Sequence, residues 1–175
     1  MPIATRAMTI SGRASITACL FRRAVEERLI DPKRAIQIGI RGSLNQADMW
    51  QFSRDQGMRV VSIEEFHDKG WRWAAEEARV IVDEGPAYFS FDIDALDPAY
   101  ALGTGTPEPG GLTTFEVQRL IRELGGLDLV GADLVEVSPP LDTSGMTSMT
   151  AVAILFELLC VLSQARVRRK PASSG

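Results

Sequence analysis

Three aspartates crowd the end of one apolar run, Phe89-Ser-Phe-Asp-Ile-Asp-Ala-Leu-Asp-Pro98. Aspartate is a poor strand former. A buried carboxylate needs a hydrogen bond, a cation or a metal to offset its loss of water. On a strand, side chains two apart share a face and lie roughly 6.6–6.8 Å apart along the chain, so Asp92 and Asp94 are expected to project together. Asp97 follows the run and precedes Pro98, where an aspartate commonly caps a turn. Two carboxylates therefore read as ligands and the third as structural. Hard cations such as magnesium or manganese prefer oxygen ligands of this kind. The chain has one histidine, His67, and two cysteines, Cys19 and Cys160. That scarcity excludes a histidine cluster, a disulfide framework and a zinc knuckle, and it favours a reducing, cytoplasmic setting.

The elements that must carry these residues alternate in type. Ala35–Ile40, Arg59–Ile63, Ala87–Ile93 and Leu129–Val137 read as short strands, rich in β-branched and aromatic residues. Helical patterns lie between them. Leu20–Ile30 has one apolar face, and Glu64 or Asp68 opens a second helix that runs through Trp71, Trp73 and Ile81. Thr113-Thr-Phe-Glu116 forms a capping-box start for a third, which stops at Gly125-Gly126. A last helix is expected over Thr147–Arg166. Strand–helix alternation predicts a three-layer α/β/α fold around a mostly parallel sheet. Such sheets place ligands at the carboxyl ends of their strands, where the three aspartates fall.

Three metal readings compete for Asp92 and Asp94. A calcium loop of the EF-hand type wants Gly at its sixth place and Glu at its twelfth; counted from Asp92, those places hold Asp97 and Gly103. A phosphotransferase of the haloacid-dehalogenase kind also runs an apolar strand into Asp-x-Asp, but it needs a later lysine followed by further acids. The only lysine after Lys69 is Lys170, with no acid beyond it. The third reading takes in far more sequence. Ser90-Phe-Asp-Ile-Asp-Ala-Leu-Asp-Pro98, followed by Gly103-Thr-Gly-Thr-Pro-Glu-Pro-Gly-Gly-Leu-Thr113, resembles the signature of the ureohydrolases, the arginase and agmatinase family. Gly131-Ala-Asp-Leu-Val-Glu-Val-Ser-Pro139 continues the match. Phe21-Arg-Arg-Ala-Val-Glu-Glu27 and Ile36-Gln-Ile-Gly-Ile-Arg-Gly42 extend it upstream, closer to agmatinase and its guanidino-acid relatives than to arginase.

The resemblance implies an arginase-like fold truncated at its N-terminus. It also implies manganese-dependent hydrolysis of a guanidino compound to urea and an amine. Asp92 and Asp94 resemble two carboxylate ligands of a two-manganese centre, in which ions roughly 3.5–4 Å apart lower the pKa of a bridging water. Glu136 and Thr106 resemble residues beside the substrate, with Glu136 facing the guanidinium. A carboxylate at the end of a buried strand can accept two hydrogen bonds from that planar group. The plain structural alternatives are a salt bridge from Glu136 to a core arginine and a turn role for Thr106. Asp133 reads as structural.

The sequence also departs from the family. The remaining metal ligands are expected in a Gly-Gly-Asp-His segment and an Asp-Ala-His-x-Asp segment, and neither is present. The place of a His-Gly-Thr-like loop is taken by Ser15-Ile-Thr-Ala-Cys-Leu20, whose codons read out of frame can encode His-Gly. His67 reads as a surface-loop residue. Residues 1–19 are therefore expected to be an unmatched, disordered or aberrant start. Residues 20–166 are expected to be the C-terminal portion of a ureohydrolase domain, and 167–175 a tail. On this reading the chain is inactive alone; a non-catalytic remnant or assembly partner is the alternative, and a dehalogenase-like phosphatase a distant third. A net charge of −4 leaves no nucleic-acid footprint. The apolar run Ala151–Leu162, interrupted by Glu157, reads as too short for a membrane span. The partners implied are a small guanidino substrate and, as in intact family members, further copies in a homo-oligomer.

Overall fold

The computed structural model describes residues 5–10, 17–42 and 50–169. In chain order they form β1 (Thr5–Ile10), α1 (Thr17–Glu26), β2 (Ile30–Ile40), α2 (Gln51–Asp55), β3 (Arg59–Ser62), α3 (Ile63–Val82), β4 (Pro86–Asp92), α4 (Thr114–Glu123), β5 (Asp128–Val135) and α5 (Met146–Arg169). The five strands make one parallel sheet in the order β3-β2-β1-β4-β5. From β1 the chain builds outward through β2 to β3. It then crosses back over the sheet in α3 and builds the other way through β4 to β5. The direction of winding therefore reverses between β1 and β4, and a crevice opens at the carboxyl ends of strands at such a point.

Strand alternation sorts the side chains into two layers. Met8, Ile36, Phe89 and Phe91 enter the main core with Phe66, Ala74, Ala78, Val117, Leu120, Ile154 and Leu158 from α3, α4 and α5. Ala7 and Ala35 turn to the other face and meet Phe21 and Val25 of α1 and Phe52 of α2. The sheet is thus flanked on both faces, as the alternating pattern predicts. Ser62 caps α3 by accepting from Glu65 N at 3.2 Å, and the helix is broken at Gly70, whose φ of 83° is easy only for glycine. The capping box at Thr113 and Glu116 forms as expected.

Several expectations need correction. The start was expected to be disordered or aberrant, yet Thr5–Ile10 is the middle strand of the sheet, paired on both sides. Its Ala7, Met8 and Ile10 are buried; three apolar residues between polar ones suffice once two strands flank them. Residues 1–4 and 11–16 lie outside the described residues, as do 170–175. The expected tail begins later than 167, because α5 continues to Arg169. Arg168 donates to Leu127 O at 3.0 Å and Arg169 to Leu129 O at 2.6 Å. The apolar run Ala151–Leu162, expected to be too short for a span, lies within a 24-residue helix that is, by length and composition alone, apolar enough to cross a membrane. Here its Ala151, Ile154, Leu158, Val161 and Ala165 face the core, and its Glu157 pairs with Arg122 of α4. His67 sits on α3 rather than in a loop; it is exposed and its Nε2 lies 3.3 Å from Gly110 O.

Candidate functional site

The carboxyl end of β4 carries the first two candidates. Asp92 is the last strand residue, and its register partner on β5 is Val135. The chain then makes one 3-10 turn, Ile93–Ala95, rather than continuing the strand. Asp92 caps that turn: its Oδ1 accepts from Asp94 N at 3.1 Å. Strand periodicity is therefore not what brings Asp92 and Asp94 together; a capped turn does. Both are 2 % exposed, buried side by side. Burial, first, and the Asp94 charge, second, push the Asp92 carboxyl up to about 8; the charge of Glu136 adds to the effect. Two buried carboxylates with this mutual repulsion form a site that favours a cation.

The loop after the turn closes over the pair. Thr106 Oγ1 donates to Asp94 Oδ2 at 2.9 Å. Thr106 therefore touches a candidate ligand directly, which a plain turn role does not require. Asp97 holds the loop as expected of a structural residue, accepting from Ala99 N at 2.9 Å, Gly110 N at 2.8 Å and Gly111 N at 3.2 Å. Those backbone donors hold its carboxyl below the usual carboxylate range. Leu112 N donates to Ala95 O, and Asp97 N to Leu112 O, at 2.9 and 3.0 Å.

Glu136 arrives from β5. The expectation of a buried strand ending in Glu136 is corrected in two ways. β5 is the edge of the described sheet and only half-buried, and it ends at Val135. Glu136 follows with φ 67°, a left-handed conformation uncommon for a side chain of its size. Backbone strain of this kind costs on the order of 1–3 kcal/mol and clusters at functional sites. Glu136 is one residue beyond the register partner of Asp92 on the neighbouring strand, so the three carboxylates share one end of the sheet. The loop helps to fix it there. Thr104 pairs with Val137, Ser138 N donates to Gly103 O at 2.8 Å, and Gly103 N donates to Thr147 Oγ1 at 2.9 Å. A Cβ on Gly103 would lie 2.5 Å from Asp142 Cβ, so only glycine lets the loop and the start of α5 approach this closely.

Asp133 is structural, as expected. It accepts from Tyr88 Oη at 2.7 Å and from Ser90 Oγ at 2.6 Å across the β4–β5 pair. Sequence spacing does not point to one contributor to the site. Arg41, after β2, is buried beneath the turn and loop. It sat within the Ile36–Gly42 block, but its partners are backbone oxygens more than fifty residues away, which sequence spacing cannot show.

Asp92 and Asp94 suit one side of a hard divalent ion. Among the described residues no group of three or more histidine, cysteine, aspartate or glutamate side chains is arranged to hold a metal. The donors among the described residues therefore do not by themselves make up a two-manganese centre.

The sequence profile of the arginase family matches residues 4–160, so the match takes in β1 and the start that was expected to be unmatched. The chain is 54% identical over 148 residues to a guanidinopropionase of Pseudomonas aeruginosa, covering 85% of this chain and 46% of that protein. It is 54% identical over 142 residues to a guanidinobutyrase of the same organism, covering 81% and 44%. The fold superposes on the proclavaminate amidino hydrolase of Streptomyces clavuligerus with a TM-score of 0.87 at 40% identity, covering 93% of this chain and 57% of that one. The chain spans about half the length of the curated relatives it matches.

Proposed function

Because the chain belongs to the arginase family, which is typically manganese-dependent, we propose that it is the portion of an amidinohydrolase that anchors a guanidino head group and supplies two metal-facing carboxylates, and that it does not turn over by itself. The observation that carries this reading is the buried Asp92–Asp94 pair with Thr106 and Glu136 around it at one sheet end. Glu136 offers two carboxylate oxygens to the planar, five-donor face of a guanidinium. Thr106 orients Asp94. The relatives at 54% identity are named for guanidino acids, which supports a small linear guanidino compound as the ligand. Agmatine-like and acid-bearing guanidino compounds present the same head group to Glu136.

The proposal of inactivity rests on the donor set. A metal-activated water needs an ion held in fixed geometry, and two carboxylates on one turn leave most of a six-oxygen shell to solvent. Binding the head group at Glu136 does not by itself lower the chemical barrier. Further copies of this chain repeat the same donors. The test is urea release from agmatine, guanidinobutyrate and guanidinopropionate by the purified chain, with and without manganese, beside Asp92→Asn. No urea above the control is expected. Manganese-dependent turnover abolished by that substitution would overturn the inactive reading. Calorimetric titration with agmatine checks the anchoring half: binding lost in Glu136→Gln supports it, and no binding to the unmutated chain refutes it.

A further inference from the structure

We propose that Arg41 is the positioning residue of this site: its buried guanidinium clamps the turn carrying Asp94 to the loop carrying Thr106, and so sets where the two carboxylates point. The inference rests on reading Asp92 and Asp94 as metal-facing groups.

Arg41 is only 4 % exposed. Its guanidinium spends its donors on four backbone carbonyls. Nη2 donates to Asp94 O at 2.8 Å, to Leu96 O at 3.2 Å and to Glu108 O at 2.6 Å. Nη1 donates to Ala95 O at 3.2 Å, and Nε to Glu108 O at 3.2 Å. Three of those oxygens close the turn that follows Asp92. The carbonyls at the end of a helical turn have no partner within it, and one planar fork satisfies them together. The fourth belongs to the loop, two residues after the Thr106 that holds Asp94. A single side chain just past the end of β2 thus fastens the β4 turn and the Gly103–Gly111 loop to each other.

The surroundings are built for that group. A Cβ on Gly111 would lie 2.6 Å from Arg41 Nη2 and 2.5 Å from Asp97 N. A Cβ on Gly42, whose φ is 91°, would lie 3.1 Å from Glu108 Cδ. Gly111 thus lets the loop backbone close against the guanidinium, and Gly42 takes a left-handed turn beside the Glu108 side chain. A lysine keeps the charge but has three donors on one nitrogen and no fork, so it cannot reach all four carbonyls at once.

The experiment compares the unmutated chain with Arg41→Lys and, approaching from the other wall, Gly111→Ala. Amide hydrogen exchange is read by NMR, and manganese binding by the electron paramagnetic resonance signal of the free ion. In both variants the Asp97 and Leu112 amides, which tie turn to loop, are expected to exchange at least tenfold faster, while Phe89 and Phe91 in β4 stay protected. Manganese affinity is expected to fall at least tenfold in Arg41→Lys. Asp97 and Leu112 protected as in the unmutated chain would overturn the proposal. So would a uniform rise in exchange across the whole sheet, which marks a general loss of stability. Unchanged manganese affinity in Arg41→Lys also overturns it. If the unmutated chain binds no manganese, the metal reading of this chain fails, and the localised or uniform pattern of exchange then decides the role of Arg41.

Discussion

Replacing Asp92 with asparagine should stabilise the metal-free chain at neutral pH. The Asp92 carboxyl is pushed up to about 8 by burial, then by Asp94, against an ordinary 3.8. A carboxyl raised in the folded state keeps its proton where the unfolded chain has lost it. Stability therefore falls as pH rises from about 4 through about 8, by at most about 1.4 kcal/mol per pH unit. At pH 7 the ceiling is about 4 kcal/mol, a large share of the 5–15 kcal/mol typical of a whole domain. Asparagine is neutral throughout, has nearly the same shape, and still offers an oxygen to the Asp94 N–H. Urea melts in the presence of a chelator at pH 5 and pH 8 provide the assay. The unmutated chain should lose stability across that interval and Asp92→Asn should lose far less, so the gap between them widens with pH. Added manganese should narrow the gap at pH 8, because a cation favours the ionised pair and binding to the folded state adds stability. Parallel curves for the two proteins, or a gap that shrinks as pH rises without metal, would refute the account of a buried, mutually repelling pair.

Glu136→Gly should relieve the strained φ of 67° and raise stability by about 1 kcal/mol, while removing guanidino binding; melts and calorimetry on one sample check both halves. Asp97→Asn should flatten the acid limb of the stability curve. Its carboxyl is lowered by the Ala99, Gly110 and Gly111 N–H groups, so its contribution is present above the ordinary carboxylate range and fades as pH falls through the folded value. Melts between pH 2 and 5 read the difference, and identical limbs count against it. Finally, Met149, Val152, Phe156 and Leu159 form an exposed apolar stripe on α5, the helix that follows β5 at the edge of the described sheet. Such surfaces favour association, so light scattering should show self-association that Phe156→Glu weakens; a monomer that survives concentration would refute this.

The sequence by itself determined the fold class and pointed to the arginase family. β-branched runs alternating with capped amphipathic stretches allow little besides a parallel sheet with helices on both faces. The placing of Asp92, Asp94, Thr106 and Glu136 along strand ends and one glycine-rich loop was legible because a long, ordered motif carried it. The roles of Asp97 and Asp133 were legible too, since short polar side chains at turns and across strands have few other partners. Tertiary structure alone decided the rest. Thr5–Ile10 looked like an aberrant start because a six-residue strand with three apolar side chains carries almost no local signal; its identity comes from the two strands that flank it. Asp92 and Asp94 meet through a capped 3-10 turn, not through strand alternation, because Asp92 finds the Asp94 N–H and ends the ladder there. Arg41 was invisible as a clamp, since its partners are carbonyl oxygens that every residue possesses. Backbone groups carry no sequence signature, and only folding decides which of them one buried guanidinium will meet.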